Sequence, residues 1–297
     1  MSAYTLTNGK NRNHTDPLNF KYFDYLTDKE EIAKINVHQL RSLEVDGVII
    51  RNFLSTEEAE TMLARLFALP ENQGLNNSKT FPGNYALIDP NADGGAEQLD
   101  SYFQLCKKFT DDFESVFGVN LIKKIQDAFS LLNNGNATHI PRAANGANYT
   151  PLTFRMIHPE KCHINIHCGN QFLTQYPAFY KSLLEQADVW NQLSFFTVVQ
   201  KPEVGGELSV YNVAWDVAKE IDVPQQAILT NTGAMLHAAN PAELFRQKFS
   251  LNQGDLILFS AGQLWHRVEE VFGSKWRVTA GGFLGFSKTD SSTYIWS

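Results

Sequence analysis

Hydrophobic residues recur at helical spacing through the first half of the chain and at strand spacing through the second half. A capping box at Ser55–Glu58 predicts a helix that ends before Pro70, and a similar box at Thr27–Glu30 predicts a shorter helix. Between them, Val48–Ile50 reads as a buried strand. Two phenylalanine-rich faces predict packing helices: Leu99, Tyr102, Phe103, Cys106, Phe109, Phe113 and Phe117, then Ile122, Ile125, Phe129 and Leu132.

From Thr150 onward the pattern changes to short apolar runs separated by turn residues. The predicted strands are Thr153–Ile157, Cys162–His167, Leu193–Gln200, Glu207–Tyr211, Asp255–Phe259 and Arg277–Phe286. Several short antiparallel strands that close around the opening of a ligand-binding cavity are typical of a double-sheet jelly roll. We therefore predict a mainly β fold with flanking helices (α+β), whose core is a double-stranded β-helix of the cupin type.

These patterns predict one single domain with three regions. Residues 1–25 form a flexible N-terminus, residues 26–149 form a helical support region packed on the barrel, and residues 150–297 form the jelly-roll catalytic core. A long insertion at 214–250 lies between two strands, and loops of that size are commonly lids over a site or separately ordered segments. The Asn- and Gly-rich segment 71–95 reads as loop with a short strand at Tyr85–Ile88.

Composition narrows the possible partners and the compartment. The net charge of −7 argues against nucleic acid or an anionic membrane as an obligate partner. No signal peptide and no apolar run long enough to span a bilayer is visible. Cys106, Cys162 and Cys168 have no metal-type spacing and cannot all form disulfides, so we expect a reducing cytoplasm.

The candidate chemistry centres on the stretch Cys162–Gly169, which alternates with period two. A strand with that alternation points His167 and Gly169 to one face and Ile164 and Ile166 to the other. Non-haem iron oxygenases bind their metal through two histidines and one carboxylate, with the first two ligands commonly at positions i and i+2 of a strand. Because Gly169 has no side chain, the pattern predicts an iron site that lacks its carboxylate.

One rival pair lies nearby, at His158–Pro159–Glu160. It matches a histidine–x–carboxylate motif and would make the protein a conventional hydroxylase. Against it, a proline cannot donate to a sheet ladder, and the segment lies between two strand-like runs, where a hairpin turn is expected. We therefore favour His167. His163 lies too far along the strand to share one iron with it.

Four segments follow an order that resembles the 2-oxoglutarate-dependent iron(II) oxygenase superfamily: Gly205–Leu208, Gly254–Phe259, Trp265–Val268 and Arg277. The resemblance implies that His167 and His266 bind Fe(II) and that Arg277 pairs with the distal carboxylate of 2-oxoglutarate. An arginine presents a planar fork of donors that suits a carboxylate, and neutral imidazole suits iron(II).

A closer resemblance covers most of the chain from Asp46 to Ser297. His167–Asn170, Gly205–Leu208, His266–Val268, Gly281–Leu284 and the terminal Trp296–Ser297 are similar to segments of the free-standing iron halogenases of hapalindole and welwitindolinone alkaloid biosynthesis. In that family a glycine replaces the carboxylate ligand, and chloride binds the iron instead. The resemblance implies that chloride or bromide occupies the position left by Gly169. It also implies that O2 is consumed and that an unactivated sp3 carbon of a free small molecule is chlorinated by a ferryl/radical mechanism.

The resemblance also suggests a catalytic role for Ser194 near the reacting oxygen, and Asn170 could orient chloride or 2-oxoglutarate. Alternatively, Ser194 is an ordinary serine at the start of a strand and Asn170 closes a turn, and neither has a role in catalysis. Arg155 could face the pocket, although we rank a surface salt bridge slightly ahead, and Cys168 is assigned to the core. Two functional alternatives remain: a hydroxylase of the same fold and a catalytically silent cupin-like binding protein. The substrate could be an alkaloid, a nucleoside or an amino-acid derivative.

Overall fold

The computed structural model describes residues 13, 15–69, 96–160, 162–215, 227–229, 235–237 and 246–297. Its helices are α1 (Lys29–Ile32), α2 (Val37–Arg41), α3 (Thr56–Ala68), α4 (Ala96–Phe117), α5 (Leu121–Leu132), α6 (Gly169–Gln175) and α7 (Pro177–Gln186). Its strands are β1 (Phe20–Asp24), β2 (Gly47–Arg51), β3 (Thr138–His139), β4 (Thr153–Ile157), β5 (Ile164–His167), β6 (Ala187–Gln200), β7 (Val204–Gly205), β8 (Leu208–Ala214), β9 (Ala227–Leu229), β10 (Met235–His237), β11 (Arg246–Phe249), β12 (Leu256–Phe259), β13 (Leu264–Val268), β14 (Val271–Phe272), β15 (Arg277–Ser287) and β16 (Thr293–Trp296).

The main sheet has eight strands, in the order β1-β2-β12-β6-β15-β16-β3, with β4 paired to the first half of β15. Its side chains alternate between two environments, as a pleated strand requires. Leu256 and Leu258 of β12 face the helices, whereas Ile257 and Phe259 face the opposite sheet. The predicted period-two strands therefore have both faces buried.

A second sheet, of four strands in the order β11-β8-β13-β5, lies across the inner face of the main sheet. Apolar residues from both sheets pack between them, among them Val198 of β6 and Val210 of β8. Two facing sheets, antiparallel except at the β1–β2 and β3–β16 pairs, form the double-sheet core that the sequence predicted, flanked by helices. The cavity described below opens within this core.

The helices of the first half pack on the outer face of the main sheet. Phe113 and Phe117 of α4 meet Phe154 of β4, and Phe129 of α5 meets Phe195 of β6 edge-on. These contacts place the predicted phenylalanine faces in the core. The layer thus supports the sheet that carries one wall of the cavity.

The two predicted capping boxes have different outcomes. The hydroxyl of Ser55 accepts from the Glu58 amide and the Glu58 carboxylate accepts from the Ser55 amide, as predicted. The box at Thr27–Glu30 is wrong: Asp28 occupies the N-cap position of α1, and the Thr27 hydroxyl donates to the Asp28 carboxylate instead.

Several boundaries differ from the predicted regions. Residues 20–24, predicted within the flexible N-terminus, form β1 because Phe20–Asp24 pairs in parallel with Gly47–Arg51. Residues 246–249, predicted within the insertion, belong to the small sheet because β11 pairs with β8. Helices α2, α6 and α7 were not predicted. The predicted strand at Tyr85–Ile88 and most of the 214–250 insertion lie outside the described residues.

Across the part of the chain that the structure describes, no helix combines the length and apolarity needed to cross a membrane.

Candidate active site

His167 and His266 are directly opposite one another on neighbouring antiparallel strands. The register pairs His266 of β13 with His167 at the end of β5, so both side chains project from the same face. The two imidazole centroids are 4.1 Å apart, and both rings line the cavity between the sheets. The structure therefore brings together the two residues that the sequence predicted as metal ligands.

The alternation predicted for Cys162–Gly169 is interrupted by a β-bulge. Between the pairs His266/His167 and Val268/Ile164, three residue steps on β5 face two on β13. Ile164 consequently shares the cavity face with His167, whereas Ile166 packs on the other side with Trp265. The sequence placed both isoleucines on the face away from His167, and this is wrong for Ile164.

Both imidazoles are held in one tautomer. Nδ1 of His167 donates to the carbonyl of Asn165 at 2.8 Å, and Nδ1 of His266 donates to the carbonyl of Leu264 at 2.9 Å. Because a carbonyl oxygen can only accept, Nδ1 carries the proton and Nε2 keeps its lone pair. This is the arrangement in which a histidine binds a metal.

Burial also keeps the two rings uncharged. Desolvation lowers the pKa of His167 to about 4, and the positive charge of Arg155 acts in the same direction. Desolvation, the neighbouring His167 and then Arg155 hold the pKa of His266 well below its usual value. At neutral pH the pair presents two unprotonated nitrogen donors, so a metal ion need not displace protons from them.

Position 169 contributes no side chain to this face. The sequence predicted that the strand continues through Gly169, and this is wrong. Gly169 is the first residue of α6, and its N–H donates to the carbonyl of Ala261 at 2.7 Å. Its carbonyl accepts from Nε2 of Gln192 at 3.0 Å. A Cβ here would lie 3.1 Å from Cα of Gly262 and 3.2 Å from the Ala261 oxygen, so any side chain is tightly confined.

Arg277 begins β15 and lines the other wall of the cavity, where it is 5% exposed. Its Nε donates to the carbonyl of Gly206 at 2.9 Å, and its guanidinium lies 5.1 Å from the ring centre of Phe196. Burial, reinforced by the charge of Arg155, lowers the pKa of Arg277 to about 9, so the group stays charged at neutral pH. The other guanidinium nitrogens make no hydrogen bond to the described residues and can pair with an anion.

Arg155 faces the cavity, which corrects our preference for a surface salt bridge. It pairs in register with Thr279, two positions beyond Arg277 on β15, and so shares the inner face of the sheet. Sequence reasoning missed Thr279 as a lining residue, although the period of two from Arg277 through Thr279 to Gly281 could have identified it. The position of Arg155 depends on which strand pairs with β15, and no local pattern encodes that.

Ser194 lies in the cavity wall, and its hydroxyl donates to the carbonyl of Gly282 at 3.3 Å; its catalytic role stays a prediction. Phe259 packs edge-on against His266, with ring centroids 5.0 Å apart, and helps to desolvate it. The cavity encloses about 410 Å³, including the space at its mouth. The other residues that line it are largely apolar.

Asn170 is fully buried in α6 and does not belong to the cavity lining. Its backbone N–H donates to the carbonyl of Gly262 at 3.2 Å, and its side-chain amide has no hydrogen-bond partner among the described residues. The predicted role of Asn170 in binding chloride or 2-oxoglutarate stays a prediction. Cys168 is fully buried beside Ile166 and Trp265, which agrees with its assignment to the core.

The rival pair lies in the turn between β4 and β5, where the sequence argument placed it. Nδ1 of His158 accepts from the N–H of Glu160 at 3.2 Å, and its ring packs against Trp276. The Glu160 side chain is 71% exposed. A solvated carboxylate beside a packed turn histidine is poorly placed to bind a metal in the cavity.

The donor set at the cavity fits iron(II) and a 2-oxo acid. Two neutral imidazole nitrogens suit iron, and a buried guanidinium suits a carboxylate. In the described part of the chain, no cluster of three or more His, Cys, Asp or Glu side chains could hold a metal.

The comparison that decides the family covers almost the whole chain. The family model described as carrier-protein-independent halogenase WelO5 matches residues 20–297. The chain belongs to this halogenase family. This confirms the resemblance to free-standing iron halogenases seen in the sequence. Among curated proteins no match is found.

Solved structures with the same fold have low sequence identity to this halogenase-family chain. It is similar to an N-substituted L-amino acid dioxygenase from Burkholderia ambifaria AMMD, with 16% identity, a TM-score of 0.57, and coverage of 91% of this chain and 92% of that one. The structure of that dioxygenase in complex with alpha-KG gives 15% identity, a TM-score of 0.52, and coverage of 88% and 90%. These likenesses confirm the jelly-roll fold. With the family match, they place the chain among the iron(II)/2-oxoglutarate-dependent oxidoreductases, as predicted.

Proposed function

We propose that this protein is an iron(II)/2-oxoglutarate-dependent halogenase that chlorinates an unactivated sp3 carbon of a free small molecule. The observation that supports this most strongly is the pair of neutral, cross-strand histidines beside a glycine at the third ligand position. Removing a carboxylate leaves one open coordination position and one less negative charge on the metal, and a single halide compensates for both.

In this proposal, His167 and His266 hold Fe(II) through Nε2, and the Asn165 and Leu264 carbonyls keep the two rings oriented. Arg277 binds the distal carboxylate of 2-oxoglutarate, with its guanidinium fixed by Gly206 and Phe196. Chloride or bromide takes the space that Gly169 leaves. When bound, iron with 2-oxoglutarate and O2 supplies the oxidising power to remove hydrogen from an unactivated carbon.

The residues around the metal site have supporting roles. Phe259 and Ile164 exclude water from the face on which the substrate carbon would react. Ser194 lies in the same wall, and we assign it the role of directing the reaction towards halide transfer instead of hydroxylation. Gln192 holds the Gly169 carbonyl and the Gly262 N–H bonds to the Gln192 carbonyl, which keeps the position beside the metal open.

The family description supports a substrate that diffuses freely and is not bound to a carrier protein. The candidate substrate classes are alkaloids, nucleosides and amino-acid derivatives, and cytoplasmic localisation stays a prediction. Products from candidate metabolites, analysed by mass spectrometry with chloride and bromide in parallel, would identify the substrate class and the halide.

A test that needs no substrate uses the visible charge-transfer band of the anaerobic complex with iron(II) and 2-oxoglutarate. For a halogenase we expect chloride and bromide to shift this band differently. In Gly169→Asp the introduced carboxylate should take the position of the halide, so the band should no longer respond to it. With a substrate in hand, the same variant should hydroxylate instead of chlorinating.

Gly169→Ala is the matched control, because a Cβ at this position already crowds Ala261 and Gly262. The alanine variant measures the effect of that crowding without a carboxylate and should keep its halide response. A parent protein whose band ignores halide would favour the hydroxylase alternative. Chlorination retained by Gly169→Asp would refute the open-position hypothesis.

A further inference from the structure

Trp265 is an oxidisable side chain that lies directly behind one of the proposed metal ligands. It precedes His266 on β13, and the two side chains project from opposite faces of the small sheet. Trp265 is buried and packs with Ile166, the residue before His167 on β5. The proposed function gives this indole no role.

The Trp265 ring stacks on Trp215, the residue that follows β8. The two ring centroids are 5.7 Å apart, and the angle between the ring planes is 23°. The backbone N–H of Trp215 donates to the carbonyl of Gln263 at 2.7 Å, which holds the end of β8 beside the start of β13. Trp215 is half-buried, so the stacked pair leads from the back of His266 towards the protein surface.

The indole nitrogen of Trp265 is a buried donor without a hydrogen-bond partner among the described residues. An unpaired polar group in a protein interior calls for a specific explanation, and a redox role is one of the recognised explanations. An indole that loses an electron becomes acidic at its N–H. Because no described residue accepts that proton from Trp265, the positive charge is passed on to the neighbouring ring.

A second aromatic stack begins at the other histidine and differs in its first member. The ring centroid of Phe172 lies 5.9 Å from that of His167, and Tyr176 stacks on Phe172 at 6.2 Å. A phenyl ring is harder to oxidise than an indole, because it has no electron-donating nitrogen. The comparison favours the tryptophan pair as the path for an electron to the metal site.

We propose that Trp215 and Trp265 return electrons to the iron site when it has reacted with 2-oxoglutarate and O2 in the absence of substrate. The inference rests on the proposed function and adds a protective activity to it. Trp265 gives one electron to the oxidised metal and takes one from Trp215, which releases its indole proton to water. A thiol reductant then gives a hydrogen atom back to Trp215.

Two such transfers balance the reaction. The two electrons restore iron(II), and the two protons released by Trp215 leave with the remaining oxygen atom as water. The two oxidised thiols pair as a disulfide, so both tryptophans end unchanged. Without a thiol, the Trp215 radical takes up O2 and the residue keeps added oxygen, which makes the path detectable.

The test is peptide mapping by mass spectrometry, after the iron(II)-loaded protein has consumed 2-oxoglutarate and O2 without substrate or thiol. In the parent protein we expect oxygen addition mainly at Trp215, and added thiol should suppress it. In Trp265→Phe, which interrupts the path, the addition at Trp215 should be lost and oxidation should fall on residues of the cavity. Trp265→Tyr, whose phenol can be oxidised, should restore part of the addition at Trp215.

Trp276→Phe is the matched control, because Trp276 packs on His158 away from the stacked pair. It should be oxidised at Trp215 as the parent is. Near-ultraviolet circular dichroism of the metal-free proteins checks the stack independently of turnover. The signal of two coupled indoles should be lost in both Trp265→Phe and Trp215→Phe, and it should persist in Trp276→Phe.

Three results would overturn the inference. One is equal oxygen addition at Trp215 in the parent and in Trp265→Phe. Another is parent oxidation that falls on Tyr176 or Cys168 instead, and the third is a parent that consumes 2-oxoglutarate and stays unoxidised. A parent that binds iron(II) and no 2-oxoglutarate would instead refute the proposed function itself.

Discussion

The two walls of the cavity respond to the same burial in opposite ways. On the small sheet, His167 and His266 are buried and become neutral, because an imidazole can lose its proton. On the large sheet, Arg277 is buried and Arg155 is half-buried, and both remain charged, because a guanidinium does not lose its proton at neutral pH. One wall is thus suited to a cation and the other to anions. A metal and an acidic cosubstrate can then meet between them.

The largest expected effect comes from removing a nitrogen donor from the neutral wall, which is the small-sheet side of the cavity with His167 and His266. His167→Ala and His266→Ala should each weaken iron(II) binding by more than about 100-fold, since loss of a residue that merely orients a ligand already costs about 10- to 100-fold. Metal content after anaerobic loading and desalting measures this. His158→Ala is the control, because His158 packs on Trp276 in a turn. Equal iron loss in that variant would contradict the assignment.

On the charged wall, Arg277→Gln should leave iron(II) binding intact and weaken 2-oxoglutarate binding by about 10- to 100-fold. The physical reason is the loss of a charge-assisted pair inside a desolvated cavity. Calorimetry with the iron-loaded protein measures both quantities. Arg277→Lys should bind with intermediate affinity, because it keeps the charge and loses the planar fork. Loss of iron in these variants would show that the two walls are not separable.

A smaller effect is expected from Gly206→Ala, which keeps the Arg277 guanidinium but should shift its position. A Cβ at this position would lie 3.0 Å from Cδ of Arg277 and 2.8 Å from Cγ of Pro202. We expect 2-oxoglutarate affinity to fall by about tenfold, the scale of one hydrogen bond to a charged group. Gly146→Ala is matched for backbone strain, since both glycines have positive φ, and a Cβ there meets nothing within 4 Å. Both variants should lose stability, and only Gly206→Ala should lose affinity.

The smallest effect is on the pH dependence of stability in the metal-free protein. In the unfolded chain a histidine gains its proton near pH 6.5, whereas His167 in the native state does so only near pH 4. The unfolded state therefore binds more protons between these values, and stability falls as the pH drops from about 7 towards 4. His167→Gln should reduce the fall in Tm between pH 7.5 and pH 5.0 by about 2 to 4 °C. An identical fall in Tm in both proteins would contradict the assignment of a neutral imidazole to His167.

Local patterns predicted much of the scaffold. The capping box at Ser55–Glu58 depends on residues within one turn, and it forms as predicted. The strand predicted at Thr153–Ile157 has the observed bounds, because its alternation is regular on both faces. The box at Thr27–Glu30 failed because Asp28 offers a competing carboxylate at the neighbouring position. Such local competition is not visible in the motif itself.

The candidate site shows more clearly the difference between features that local sequence encodes and features that depend on distant contacts. The identities of His167, His266 and Arg277, the glycine at 169, and their order along the chain were all readable from the sequence alone. The bulge in β5, the turn of Gly169 into α6 and the inward position of Arg155 were not. Each of these depends on which distant strand supplies the pairing partner, and a slip of one residue reverses the face of every side chain. The amino-acid order alone tells which chemical groups are present. Pairing between distant strands places some of them in the cavity, and the burial that results leaves the imidazoles neutral and the guanidinium groups charged.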